Sequence, residues 1–168
     1  MLFRSSKKGK EKKGEIILKK LLIFLLLNTI LVAHPHVFFE TTFQILIENN
    51  KIESLNITFW IDEMSTLIFT EKVKDINYIE EKELNFYKDL LRDIHIKYGE
   101  KSNFKINFID SYVEDESLKI DIEIPINQKI NLDKALIFSV YDTEYFYTYD
   151  YDKNGFNILT KDNDYSIK

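Results

Sequence analysis

From Val37 to Ile47 the side chains alternate. Val37, Phe39, Phe43, Ile45 and Ile47 share one face with Thr41, and His36, Glu40, Thr42 and Gln44 share the other with Phe38. A period of two predicts a half-buried strand. Leu55, Ile57, Phe59 and Ile61 form a second apolar row, opposed by Ser54, Asn56, Thr58, Trp60 and Asp62. The turn between them is Glu48-Asn49-Asn50-Lys51. A two-residue loop would pair 48 with 51 and set an apolar row against a polar one. A three-residue loop pairs 48 with 52, so that partner numbers sum to 100 and both apolar rows share a face. Asp62 then falls opposite Phe38, diagonal to His36 and Glu40.

Leu84, Tyr87, Leu91, Ile94 and Tyr98 recur at helical steps and predict a helix over 80–98, closed by Gly99. Alternation returns over 103–108 and 118–124, with Pro125 stopping the second strand. A further strand is expected at 135–141. Residues 145–151 and 155–160 are expected to form a last hairpin around Asn154-Gly155. The predicted fold class is α+β: an antiparallel β-sheet with one main helix packed on its apolar face.

The first segment differs from this body. Lys7, Lys8, Lys10, Lys12, Lys13, Lys19 and Lys20 precede an uncharged run, Leu21 to Ala33. Thirteen residues are short for a membrane span, which takes about 20. The pattern is that of a secretory signal, with Ala33 suited to the position before a cut. Residues 1–33 are therefore read as signal peptide or signal anchor. Residues 34–168 are read as one exported α+β domain, periplasmic or secreted. Eight of the 23 Lys/Arg and two of the 28 Asp/Glu lie in 1–33, leaving fifteen basic against twenty-six acidic residues beyond it. Such a body repels phosphate backbones, so no nucleic acid is expected as partner. The 168-residue chain is 45% hydrophobic and 14% aromatic, which suits a single folded domain. The absence of cysteine excludes disulfide scaffolds and thiolate zinc fingers.

His34-Pro35-His36 carries the densest candidate chemistry. Cleavage after Ala33 would make His34 the amino terminus, adding an amine donor to two imidazoles whose spacing Pro35 restrains. Imidazole suits zinc, copper, nickel and iron, and carboxylates on the polar strand face, Glu40 and Asp62, can complete a shell. His95 lies beside the apolar row of the predicted helix as an ordinary boundary residue. Odd positions from Tyr141 to Tyr151 are tyrosine or threonine, and Asp142, Glu144, Asp150 and Asp152 sit between them. Asp142 stands at a strand end, where it can ligate a cation or cap a turn. Asp75-x-Asn77 opens like a calcium loop, but Ile79 and Glu80 occupy the third-ligand and turn-glycine positions. No nucleophile constellation or phosphate loop is present.

AHPHVFFE after a signal sequence, WIDE some two dozen residues later, and SVYDTEYF near the end resemble the family catalogued as domain of unknown function 1007. The resemblance covers most of 34–160. It implies a periplasmic component associated with nickel/cobalt-type or zinc membrane transporters. The family's shared polar positions fall on His34, His36, Glu40, Asp62, Glu63 and Asp142. The family more often has Asp where Glu40 stands and Pro where Thr143 stands, and its fuller acidic loop is degenerate at 75–83. The implied function is a divalent transition-metal-binding accessory of a membrane metal transporter. Zinc is the first choice and nickel or cobalt the alternative, and no enzymatic step is implied. Two other readings are a membrane-tethered interaction or scaffold module and a copper histidine-brace oxidoreductase.

Overall fold

A computed structural model describes residues 19–20, 37–151 and 153–160. The chain divides into two units, Met1–Pro35 and His36–Lys168, and the fold below belongs to the second. Its elements are β1 (Val37–Glu48), β2 (Lys51–Ile61), α1 (Glu63–Thr70), a 3-10 turn (Glu81–Glu83), α2 (Tyr87–Asp93), β3 (Ile94–Tyr98), β4 (Asn107–Glu114), β5 (Ser117–Lys129), β6 (Leu136–Val140), β7 (Tyr147–Asp150) and β8 (Phe156–Thr160). The main sheet runs β4-β5-β2-β1-β7, and β8 also pairs with β1. β3 and β6 make a separate ribbon.

The β1–β2 pairing follows the register expected from alternation. Phe39 faces Ile61 and Ile45 faces Leu55, and every pair from Phe39 to Leu46 sums to 100, whereas Ile47 pairs with Ile52 and Glu48 with Lys51. The loop that achieves this is different from the three-residue one expected. Asn49 and Asn50 both have positive φ, 51° and 56°, as a two-residue hairpin turn requires. A bulge between Leu46 and Ile47 then restores the phase.

The one-main-helix α+β expectation is wrong, and the described fold is mostly β-sheet. Within 80–98 only Tyr87–Asp93 is α-helical, and Ile94–Tyr98 is a strand. Ile94 and Tyr98 lie four apart, a spacing that fits a helical turn and a strand face equally well. The intervening His95 and Lys97 are exposed and settle it as strand. The sheet is not purely antiparallel either. β7 and β8 do not form a hairpin. Both run parallel to β1, β7 along Val37–Glu40 and β8 along Phe43–Ile47. A Cβ on Gly155, between them, would lie 3.3 Å from the Thr41 carbonyl oxygen, so a bare backbone fits there best. β4 starts at Asn107 rather than 103. β5 continues through Pro125 to Lys129. Pro125 is tolerated because β4 pairs no further than Glu123, which leaves one side of β5 open, and because Pro125 pairs with Ser54 at a bulge in β2.

The core lies on one face of the main sheet. Phe39, Leu55, Ile57, Phe59 and Leu118 to Ile126 at every second residue are fully buried there. They pack beneath Ile79, Leu84, Phe86, Leu90, Ile94 and Val140 of the second layer. Rings link the layers: Phe39 lies 6.3 Å from Phe86, and Phe43 lies 4.9 Å from Phe138.

Two buried threonines give a paired test. The Thr66 hydroxyl donates to the Ile61 carbonyl (3.1 Å) and accepts from the Leu118 N–H (2.8 Å). The Thr41 hydroxyl has no partner among the described residues. Thr66→Val strands a buried N–H and is expected to cost about 1–3 kcal/mol. Thr41→Val removes a buried, unpaired hydroxyl and is expected to change stability by less than about 1 kcal/mol, in the favourable direction. Urea denaturation of the two variants checks the opposite signs.

Candidate functional site

β1 has its first described residue, Val37, between two neighbours. On one side the next rung of the β1–β2 ladder beyond Phe39–Ile61 brings Phe38 opposite Asp62. On the other, the Val37 N–H donates to the Phe146 carbonyl (3.2 Å), and Val37 pairs with Tyr147. An aspartate stands on each flank.

Asp62 ends β2 and caps α1. Its Oδ1 accepts from the Ser65 N–H (3.0 Å) and its Oδ2 from the Ser65 hydroxyl (2.6 Å). This D-x-x-S arrangement satisfies donors that a helix start leaves unpaired. The N–H groups of Phe38 and Met64 also donate to it. Burial alone would raise its pKa, but Ser65 and these backbone donors outweigh burial and hold it below the usual carboxylate value.

Asp142 lies in the loop between β6 and β7 and is buried, 7% exposed. Its Oδ1 accepts from the Glu144 N–H (2.8 Å), and its Oδ2 accepts from Phe146 (2.7 Å) and Tyr147 (3.0 Å). The carboxylate folds the loop around itself and delivers the chain to β7. Burial pushes its pKa up, and the three backbone donors with nearby Arg92 more than reverse that, leaving it lowered.

Glu63, the first residue of α1, is exposed. Glu40 is exposed on the outer face of β1, between Trp60 of β2 and Asp150 of β7. His34 and His36 lie outside the described residues. Among those residues no three His, Asp or Glu side chains are grouped so as to hold one metal ion. Glu40, Asp62, Glu63 and Asp142 thus form no complete centre by themselves. Asp62 and Asp142 border the start of β1 from opposite sides, Asp62 through the Phe38 N–H and Asp142 through the loop that carries Phe146 and Tyr147.

His95 sits on β3 rather than on a helix, and its ring stacks on Tyr141, with centroids 4.1 Å apart. Asp75 accepts from the Asn77 N–H (3.0 Å), a local turn bond.

The sequence reading missed a buried group beside Asp142. Asp93, the last residue of α2, is 2% exposed. The Tyr149 hydroxyl donates to its Oδ2 (2.8 Å), Arg92 Nε approaches Oδ1 at 3.5 Å, and its carbonyl accepts from the Tyr141 N–H. Burial raises the Asp93 pKa. Tyr149 and Arg92 oppose that rise and Asp142 adds to it, and the net shift is upward. Burial and then Asp93 push the Tyr149 hydroxyl well above the usual tyrosine value. No local signal pointed to it, because its partner Tyr149 lies 56 residues further along the chain. Of the expected aromatic face, only Tyr147 and Tyr149 turn towards the core, and Tyr141 and Tyr145 are exposed.

The family model described as "Protein of unknown function (DUF1007)" matches residues 20–167. No curated protein matches the chain.

Proposed function

Because the chain belongs to the DUF1007 family, we propose that it is an exported accessory protein that binds a divalent transition metal for a membrane transporter. Zinc is the first candidate and nickel or cobalt the alternative. The observation that carries the reading is the pair of ionised aspartates flanking the start of β1, directly after the HPH segment. His36 is bonded to Val37, and consecutive Cα atoms lie about 3.8 Å apart. Phe38, whose N–H reaches Asp62, and Val37, whose N–H reaches Phe146, follow it immediately.

In this reading His34 and His36 supply nitrogen ligands, and a free His34 amine adds a third where cleavage follows Ala33. The aspartates have limited capacity left. A carboxylate offers about four lone-pair sites. Asp142 already accepts three N–H bonds, and Asp62 accepts from Ser65, Phe38 and Met64. Asp142 has one lone-pair site left, to ligate the metal or to accept from an imidazole N–H. Asp62 serves to fix the strand end. Exposed Glu40 and Glu63 are the remaining oxygen donors. Imidazole-held metals commonly rely on such carboxylate support around the ligands.

Native mass spectrometry of the exported protein, incubated with zinc or nickel and desalted, tests this. One ion per chain is expected, with at least about ten-fold lower retention in the His34→Ala/His36→Ala variant, in line with the loss of two ligands. Equal retention by the two proteins would refute the assignment.

A further inference from the structure

Helix α1 is turned against its own chemistry. Its polar residues Ser65, Thr66 and Thr70 are buried, whereas Met64, Leu67 and Ile68 are 75%, 66% and 58% exposed. The three apolar residues are spaced three and four apart and share one face. The inversion is fixed by hydrogen bonds. Ser65 bonds the Asp62 cap, Thr66 ties β2 to β5, and the Thr70 hydroxyl donates to the Thr66 carbonyl. Turning the apolar face inward would break the Thr66 bonds to Ile61 and Leu118. A contiguous exposed apolar face of this kind marks an interaction surface.

Chain geometry says what covers it. Asp62 caps α1 and accepts from the Phe38 N–H, so α1 begins beside the start of β1. Phe38, at that same end, is itself 56% exposed. The uncharged run Leu21 to Ala33 stops four residues before Val37, and four residues reach at most about 14 Å. Whenever that run is held in a bilayer, the α1 end of the domain is kept at the membrane surface. The charges around the face are balanced: Glu63 and Glu71 against Lys72 and Lys74. Adsorption therefore needs no anionic lipid. We propose that, in the unprocessed chain, the Met64–Leu67–Ile68 face of α1 lies in the interfacial layer of the lipid bilayer. This goes beyond the metal reading and is independent of it, since neither histidine contributes.

The chain has no cysteine, so one introduced thiol takes a single label. The full 168-residue chain carrying Leu67→Cys, labelled with a polarity-sensitive fluorophore, is reconstituted into phosphatidylcholine vesicles with or without brominated acyl chains. Leu132→Cys is the control. Leu132 is 99% exposed and follows Ile130, whose N–H bonds the Asn50 carbonyl at the hairpin turn. It therefore lies about 35 Å from α1, the length of β2. We expect brominated lipid to quench the position-67 label at least two-fold, with little iodide quenching, and the position-132 label to show the reverse. A position-67 label as open to iodide as that at 132 would overturn the proposal. Shielding from iodide without quenching by brominated lipid would overturn it as well, by showing that protein covers the face. Met64→Cys, on the same face and 75% exposed, repeats the test should the first variant fold poorly.

Discussion

Phe39→Ala is expected to destabilise the domain by about 3–5 kcal/mol, the range for emptying a fully buried aromatic site. Phe39 has no exposed surface. Its ring stacks on Tyr149 with centroids 4.9 Å apart and meets Tyr147 and Phe59 edge-on at 5.4 and 6.0 Å. It joins three strands, because β1 lies between β2 and β7. Alanine would remove the apolar transfer energy and leave a cavity bounded by strands that hydrogen bonds keep from collapsing. The damage would reach the site, since Tyr149 also carries the bond to Asp93. Urea unfolding should show a lower midpoint with an unchanged slope. Phe39→Leu, which keeps most of the volume, should cost clearly less. Equal losses for the two variants would mean that the rings around Phe39 are not packed as described.

Asp142→Asn should cost about 2–4 kcal/mol at pH 7, because hydrogen bonds to a charged acceptor are worth more than neutral ones and the amide keeps one acceptor oxygen for three N–H groups. The pH dependence follows from the direction of the shift. The Asp142 pKa is lowered in the folded protein. Its contribution is therefore fully present above the unfolded value of about 3.9 and is lost as pH falls through the folded pKa. The gap between wild type and Asp142→Asn should close below about pH 4. Asp62 acts in the same direction. Asp93 acts oppositely: its pKa is raised, so its contribution is greatest below the unfolded value and declines as pH rises through the folded one. Asp93→Asn should therefore remove a stability loss on the alkaline side of that transition, where Asp142→Asn removes one on the acid side. Denaturant midpoints from pH 3 to 7 separate the two, and a pH-independent Asp142→Asn difference would contradict the role given to its carboxylate.

Several features of the site were legible in local chemistry. Asp62 opposite Phe38 follows from the alternation of two apolar rows. Asp142 at a strand end follows from residue type and position, although its three N–H partners show it acting as a loop cap. The Asp93–Tyr149 pair was not legible, because it joins residues 56 apart. Nothing within either segment names the other as partner.

By itself the sequence determined which residues of β1, β2 and β5 face inward and the register of the first hairpin from Phe39 to Leu46, but not the pairing at its turn. Side-chain period is local, and a one-residue slip would turn an entire apolar row to water. Only the tertiary structure decided that β7 and β8 run parallel to β1, that Ile94–Tyr98 is strand rather than helix, and that α1 shows its apolar face outward. Each of those outcomes depends on a partner distant in sequence. A spacing of four fits two periods, a strand with an open side accepts either direction of neighbour, and a helix anchored by Thr66 to Leu118 and by Phe69 on Phe86 leaves its other apolar side chains outside.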